Sequence, residues 1–357
     1  MTRRAATLAL IALIALGGVI VPTAGARQGV ITRLDVFVGV DPASSMTQLY
    51  FLDALSGLST VVNVESGRAF ALLGDYVLYE KERTGAIMRA NANGTLQPHP
   101  FIQRGVDIAQ VRWAVSPDGA GVAWVEVSTQ GVSSLYVARA DGSDLRQLPV
   151  STPATGQMLL PVALTNGMTR LVYDAAHPLE PTEGALFEVY HHVSTFNLAD
   201  EQFGPLTGEP LCPCGAAVSP DGRLVARLEG SGGRGPFALH LWEVSANTEI
   251  VVPPPTLPYR LAGDLILNER GTLAAYGAAT EDGAPYAVIV ADVVARRQRL
   301  ALSSDTVRYV PLAFVDDDTA LMLTDASAGG TFKFDLTTGN LLRVSDKRYL
   351  GAIVLSR

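Results

Sequence analysis

A tight-turn motif that returns at regular intervals is the feature that most constrains this sequence. Val-Ser-Pro-Asp-Gly occurs at residues 115–119 and again at 218–222, each time between two apolar segments. Proline presets φ at the second turn position, aspartate accepts a hydrogen bond from nearby backbone, and glycine closes the turn without steric cost. Weaker relatives extend the series to six landmarks spaced 44 to 55 residues apart: Asp75, Gly119, Gly167, Gly222, Gly271 and Asp318. The sequence therefore predicts a repeated strand–turn–strand unit.

A second series of short strands follows these turns. Seven segments with alternating apolar residues start 37 to 58 residues apart, at Leu49, Ala86, Leu135, Val193, Leu239, Ala287 and Thr331. This period is typical of a four-stranded propeller blade. One strand, Ile31 to Val40, precedes the first copy, and the apolar segment Tyr349 to Leu355 is left over after the last.

We therefore predict an all-β, seven-bladed β-propeller of four-stranded antiparallel blades. The C-terminal strand is expected to be the inner strand of blade 1, because this pairing closes the ring and leaves no open inner edge. A six-bladed ring with a decorated N-terminus is the alternative.

The Ser-Pro-Asp-Gly turn at 116–119, followed by Leu-Tyr-Val-Ala-Arg-Ala-Asp-Gly at 135–142, resembles the WD-repeat-like unit of TolB-like propellers. Similar repeats occur in the propeller domains of prolyl-oligopeptidase-type peptidases. The resemblance is closest over residues 109–150 and 212–252, and it implies a propeller fold and an exported protein. The chain is expected to lack the TolB N-terminal domain, and it has no Gly-x-Ser-x-Gly motif of a peptidase domain.

The N-terminus has the pattern of a secretory leader. A pair of arginines precedes an apolar run from Ala5 to Val21, and Ala24-Gly25-Ala26 fits an A-x-A cleavage site. We predict a signal peptide over residues 1–26 and a single propeller domain over residues 27–357. The protein is then exported to the periplasm, the cell surface or the medium, and an uncleaved membrane anchor is the alternative.

The charge balance argues against two classes of partner. The formal net charge is −8, and the sequence contains no run of five or more Lys and Arg residues. A nucleic-acid surface needs a basic face that releases counterions from phosphates, and docking on an anionic membrane needs one too. We therefore expect neither a nucleic-acid partner nor, once the leader is cleaved, membrane insertion.

The predicted inner strands carry few groups that could do chemistry in a central channel. Their charged residues are Arg68, Arg112, Arg260 and Asp264, and these four are predicted to line the channel. A metal site needs three or four convergent ligands, which these strands do not supply. We therefore expect no catalytic residue, no cofactor and no metal ion.

Cys212 and Cys214 are the two cysteines of the chain. In an oxidising compartment they are expected to form a short-range disulfide or to remain two small buried thiols. A soft-metal ligand pair and a redox dithiol are the functional alternatives. Asp118 and Asp221 are assigned no catalytic role, because their place in a tight turn accounts for them.

The segment from Ala175 to Glu188 is rich in Pro and Glu and lengthens blade 4. Long loops on a rigid scaffold often carry recognition, so this insertion is the predicted partner-facing element, with a merely tolerated insertion as the alternative. We predict a non-catalytic propeller that binds a protein, peptide or glycan through loops at one face. The alternative is an enzyme, a hydrolase or lyase, with a site at the channel mouth that uses loop carboxylates and Arg112 or Arg260.

Overall fold

The computed structural model describes residues 31–356 apart from 42, 152, 180–184, 206–214 and 232–233. The described residues hold 28 strands, which form seven four-stranded antiparallel sheets. Their one helical element is a 3-10 turn, Asn166–Met168, and no helix among them is long and apolar enough to cross a membrane. The predicted leader at 1–26 lies outside the described residues.

The strands of the first four blades follow the chain, with each inner strand given first. Blade 1 contains β28 (Arg348–Ser356), β1 (Ile31–Val40), β2 (Thr47–Asp53) and β3 (Ser59–Val64). Blade 2 contains β4 (Gly67–Leu73), β5 (Tyr76–Lys81), β6 (Ile87–Asn91) and β7 (Leu96–Pro98). Blade 3 contains β8 (Ile108–Val115), β9 (Gly121–Ser128), β10 (Ser133–Arg139) and β11 (Arg146–Gln147). Blade 4 contains β12 (Gln157–Leu164), β13 (Arg170–Pro178), β14 (Val193–Asn197) and β15 (Gln202–Pro205).

The remaining three blades repeat the same order from the channel outward. Blade 5 contains β16 (Ala216–Val218), β17 (Leu224–Ser231), β18 (Arg234–Glu243) and β19 (Thr248–Val252). Blade 6 contains β20 (Leu261–Leu267), β21 (Leu273–Thr280), β22 (Gly283–Asp292) and β23 (Arg297–Ser304). Blade 7 contains β24 (Tyr309–Val315), β25 (Ala320–Asp325), β26 (Thr331–Asp335) and β27 (Leu341–Ser345).

The ring closes as the sequence predicts. β28 pairs antiparallel with β1 from Ile31 opposite Ser356 to Val38 opposite Arg348, so the C-terminal strand is the inner strand of blade 1. The predicted turns lie between the first and second strands of blades 2 to 7, and the predicted alternating segments are the third strands. Seven blades are formed, and the six-bladed alternative is wrong.

Burial falls from the second strand of each blade to its outer edge. Nearly every residue of β9 and β25 is buried, because neighbouring blades pack against both faces of these strands. Trp124 in β9, for example, is 1% exposed. The outer strand β27 is instead exposed along almost its whole length. The second strands are therefore continuous apolar runs in the sequence, and apolar and polar residues alternate only in the strands farther from the channel.

Turns between the first and second strands also join neighbouring blades, and together they are called the belt here. Asp118 in blade 3 accepts a hydrogen bond from the backbone N–H of Gly167 in blade 4 (2.7 Å). The N–H of Asn166 donates to the carbonyl of Pro220 in blade 5 (2.8 Å). Partial burial alone would raise the pKa of Asp118, but hydrogen bonds from Ser116 and from backbone N–H groups lower it overall. This aspartate therefore has a structural role.

The belt continues on both sides of these blades. The N–H of Gly74 in blade 2 donates to the carbonyl of Gly119 in blade 3 (2.9 Å). Between blades 5 and 6, Arg223 donates to the carbonyl of Arg270 (3.1 Å). Between blades 6 and 7, the side-chain amide of Asn268 donates to the Asp318 carboxylate (2.8 Å). Hydrogen bonds at this face, called the turn face below, thus link blades 2 to 7 in succession.

A buried histidine connects blades 2 and 3. His99 is fully buried, and its Nδ1 accepts the backbone N–H of Ile102 (3.0 Å). The proton of the neutral ring is therefore on Nε2, which lies 2.9 Å from the Tyr76 hydroxyl. That hydroxyl in turn donates to the carbonyl of Ala140 (3.2 Å). Burial, and after it the charge of Arg89, lowers the pKa of His99 to about 4.

The His99 network is expected to make the native state less stable in acid. An unfolded histidine has a pKa of about 6.5, so the stability held by the neutral ring is complete above pH ~6.5 and lost as the pH falls towards 4. The loss is about 3 kcal/mol. Urea unfolding between pH 7 and 4 should show this decline, and His99→Gln, which keeps a donor and an acceptor but does not titrate, should flatten it.

Val106→Ala, at a position 97% exposed in the loop that follows His99, serves as the control for this experiment. It removes no titratable group, so it should leave the pH dependence of the unfolding free energy as it is in the wild type. An identical decline in the wild type and in His99→Gln would contradict the assignment to His99.

Candidate functional site

Residues 185–190, the described C-terminal part of the blade-4 insertion, cross the central channel and are called the strap here. Phe187 is 6% exposed and packs on blade 6. A Cβ added to Gly263 would lie 2.5 Å from the Phe187 Cβ, and one added to Gly277 would lie 3.0 Å from its ring. Glu188 accepts a hydrogen bond from Arg112 of blade 3 (2.7 Å). The strap therefore spans the channel from blade 4 to blades 3 and 6.

Asp174, in the middle of β13 at its last pair with β14, fixes the return of the insertion to blade 4. Its side chain is fully buried and accepts hydrogen bonds from the N–H groups of Ala176, His191 and His192 (2.9–3.0 Å). Its Oδ2 also lies 3.2 Å from Nδ1 of His177. Burial alone would raise the pKa of Asp174, but the hydrogen bonds, that of His177 first, together lower it. The carboxylate is therefore ionised and holds both ends of the insertion.

Charged side chains gather where the strap meets the inner strands. Asp264 on β20 has a left-handed φ of 53° and accepts a hydrogen bond from Arg308 (2.8 Å). The Arg308 guanidinium also lies 5.2 Å from the centre of the Phe187 ring. Burial raises the pKa of Asp264, and the charge of Arg308 opposes that rise. Burial, and after it the negative charge of Glu188, raises the pKa of Tyr190. The charge of Arg112 lowers this pKa, and that of Asp264 raises it.

The four residues predicted to line the channel separate into two groups. Arg112 and Asp264 both lie at the strap: Arg112 donates to Glu188, and Asp264 accepts from Arg308, whose guanidinium lies over the Phe187 ring. Arg68 instead pairs with Glu80 in blade 2 (2.8 Å), and Arg260 donates to the carbonyl of Gly235 (2.6 Å). That all four line the channel stays a prediction. Cys212 and Cys214 lie outside the described residues.

Beyond Tyr190 the channel widens into a cavity of about 860 Å³ that reaches the turn face. Its wall consists of apolar residues of the inner strands of blades 4 to 7, among them Val162, Ala217, Leu265, Ala313 and Phe314. Its rim is formed by belt turns and carries five acidic and two basic side chains: Asp118, Glu269, Asp316, Asp317, Asp318, Arg33 and Arg270. Tyr190 places the strap at the inner end of this cavity.

Sequence reasoning missed several residues of the channel because they do not lie on inner strands. Asp174 and His177 lie on the second strand β13, Glu188 belongs to the insertion, and Arg308 directly precedes β24. Arg308 could have been recognised from the sequence in the same way as Arg260, because both residues directly precede an inner strand. Within the described part of the chain, no three His, Cys, Asp or Glu side chains are placed to hold a metal ion.

Comparisons with solved structures extend the picture of the fold. An oligogalacturonate lyase from Vibrio parahaemolyticus superposes with a TM-score of 0.59 at 10% identity, over 86% of this chain and 98% of that one. A prolyl endopeptidase superposes with a TM-score of 0.60 at 12% identity, over 91% of this chain and 51% of that one. These similarities show the propeller fold. At such low identity they carry no activity over to this chain.

TolB from Acinetobacter baumannii is also among the similar structures, with a TM-score of 0.46 at 14% identity over 77% of this chain. The predicted propeller architecture is confirmed by the seven four-stranded sheets themselves, and TolB is one of the structures to which the chain is similar. The chain spans 64% of that TolB and about half of the prolyl endopeptidase. No protein-family model matches the sequence, and no curated protein sequence is similar to it.

The contact between Phe187 and Gly263 is expected to hold the strap in the channel. Gly263→Ala places a methyl group within 2.5 Å of the Phe187 Cβ, so the strap must shift. Overpacking of this kind costs about 1–3 kcal/mol. Hydrogen exchange at residues 185–190 should therefore become roughly tenfold faster or more, while exchange in the blades stays unchanged.

Gly105→Ala is the matched control, because a Cβ at Gly105 would come no closer than 3.9 Å to its neighbours. It should leave exchange in the strap at the wild-type rate. Equal exchange rates at residues 185–190 in Gly263→Ala and the wild type would show that this contact does not hold the strap.

Proposed function

We propose that this protein is an exported, non-catalytic scaffold that binds a segment of a protein or peptide in the cavity at the turn face. The observation that carries the proposal is the cavity itself, with the strap at its inner end and the belt at its rim. Its volume lies within the usual range of ligand sites, about 300–1,000 Å³. A ring with an open cavity of this size suits a binding function.

The lining of the cavity favours an apolar segment that carries a basic side chain. The wall is made of Val, Ala, Leu, Ile and Phe residues from the inner strands, which favour an apolar body of the ligand. At the rim, Glu269 and Asp317 are exposed, and neither has a hydrogen bond or ion pair with another described residue. A Lys or Arg side chain at the rim would meet these two carboxylates.

The other rim carboxylates are already engaged. Asp118 and Asp318 accept hydrogen bonds across the belt, and Asp316 pairs with Lys333. A neutral glycan carries no group that would pair with the two exposed carboxylates at the rim, whereas a Lys or Arg side chain of a peptide does, which favours a peptide over a glycan.

Filling the cavity is expected to abolish ligand binding without unfolding the ring. Ala313 is partly exposed in the wall, so Ala313→Trp places an indole where the ligand would lie. Peptides selected on the wild-type protein by display should be rich in apolar residues with Lys or Arg. Their affinity for Ala313→Trp should fall at least about tenfold, because a fully buried side chain contributes about 1.5–3 kcal/mol.

Ala295→Trp, at an exposed turn between β22 and β23, is the matched control and should bind the selected peptides like the wild type. Glu269→Gln and Asp317→Asn should weaken the basic peptides by a smaller factor. Equal binding to Ala313→Trp and to the wild type would overturn the cavity as the binding site.

One observation favours the alternative, an enzyme with a site at the channel mouth. Buried Asp174 holds Nδ1 of His177 (3.2 Å), and Nε2 of the same ring lies 4.0 Å from Glu188. A carboxylate that fixes the tautomer of a histidine is the arrangement by which a general base is oriented. Glu188 is engaged with Arg112, and the cluster packs the strap in place, which explains it without catalysis.

A screen of chromogenic esters, peptides and acidic oligosaccharides tests this alternative. Turnover by the wild type that falls at least about 100-fold in His177→Ala, and not in His191→Ala, would support an enzyme. Turnover that both variants retain, or none by the wild type across the panel, would count against it.

A further inference from the structure

Three guanidinium groups gather at the end of the channel opposite the turn face, and they are called the arginine cluster here. Arg308 donates to Asp264 (2.8 Å), and Arg112 donates to Glu188 (2.7 Å). Arg348 begins β28, the inner strand of blade 1, and Arg308 directly precedes β24, the inner strand of the neighbouring blade 7, so both lie at the same end of the channel. The three arginines come from blades 3, 7 and 1, so the ring brings together residues that are far apart in the sequence.

The carboxylates of this region do not match the arginine cluster one to one. Asp264 and Glu188 are each taken by one arginine, as the distances above show. Arg348 is exposed, and among the described residues it has neither a hydrogen bond nor an ion pair. The neighbouring Asp174 is fully buried and satisfied by backbone N–H groups and His177. Asp305, in the segment before Arg308, is exposed and pairs with neither Arg308 nor Arg348. One exposed guanidinium is thus left beside two that are held in place.

The geometry of Arg308 prepares it for an anion. Its side chain is 24% exposed, and both Asp264 and the Phe187 ring hold it in one position. A second anion that contacts it therefore pays little side-chain entropy. Guanidinium groups bind carboxylates through paired, charge-assisted N–H···O bonds, and Arg348 offers a second guanidinium at the same end of the channel.

We infer that Arg348 and Arg308 form a second binding site, on the strap side of the channel, for a carboxylate of an acidic peptide segment. This site is separate from the cavity at the turn face, and it requires ligands of the opposite charge. The strap lies between the two sites, with Tyr190 facing the cavity and Phe187 under Arg308. The protein could thus hold an acidic and a basic segment at opposite ends of one channel.

Fluorescence anisotropy with labelled tetraglutamate and tetraglutamine peptides at low salt tests the inference on the full mature chain. The wild type should bind tetraglutamate in a salt-sensitive manner and tetraglutamine much more weakly. Arg348→Gln should weaken tetraglutamate binding about fivefold, as expected for an exposed ion pair, and Arg348→Lys should restore part of the affinity. Arg308→Gln should have a similar or larger effect.

Arg270→Gln, at the rim of the opposite mouth, is the matched control and should bind tetraglutamate like the wild type. Equal affinity of Arg348→Gln and the wild type, or equal binding of the two peptides, would overturn the site. Displacement by inorganic phosphate as strong as by glutarate would overturn its preference for carboxylates. Ala313→Trp should leave tetraglutamate binding intact, so failure of the cavity proposal and failure of this one are distinguishable.

Discussion

The pairing of β28 with β1 is the interaction on which the rest of the structure depends. It joins the two ends of the described chain along the register Ile31–Val38 against Arg348–Ser356. Without it, Val36 and Leu34 of blade 1 would lose the cover that Ile353 supplies in their core. An unclosed ring would also leave a strand edge open to other chains. The closed channel, and every contact across it, follows from this pairing.

The strap makes the two ends of that channel unequal. A propeller is a ring of repeats, and repeats alone would leave a similar opening at each face. In the strap, Phe187 packs against two glycines of blade 6, and Glu188 bonds to blade 3. The strap therefore separates the cavity at one end of the channel from the arginine cluster at the other. The end with the belt keeps an apolar-walled cavity, and the other end keeps paired charges.

The fold could be predicted from the sequence because its strand and turn motifs repeat. The candidate site could not be predicted, because the residues of its strap belong to no repeated motif. Turn residues such as Asp118 recur with the blades, and the apolar segments between them leave one economical arrangement, with Tyr349 to Leu355 closing the ring. The contacts of the strap depend on single residues that meet only once blades 3, 4, 6 and 7 are assembled. The local sequence around Gly263 does not indicate that the absence of a side chain there makes room for Phe187.

The belt shows how one row of turns can serve both folding and recognition. The carboxylates of Asp118 and Asp318 accept hydrogen bonds from the neighbouring blade. Replacing them would leave buried or partly buried donors without partners and would destabilise the ring. Glu269 and Asp317 stand in the same row and are exposed at the cavity rim, with no such bond to lose. Glu269→Gln and Asp317→Asn alter what the cavity meets at little cost to the ring, because surface substitutions without internal partners change stability by only about 0.5 kcal/mol, and asparagine tolerates the left-handed φ of 53° at position 317. Residues that hold the blades together and residues open to a ligand are therefore separable within a single turn, and ligand preference can vary while the propeller stays the same.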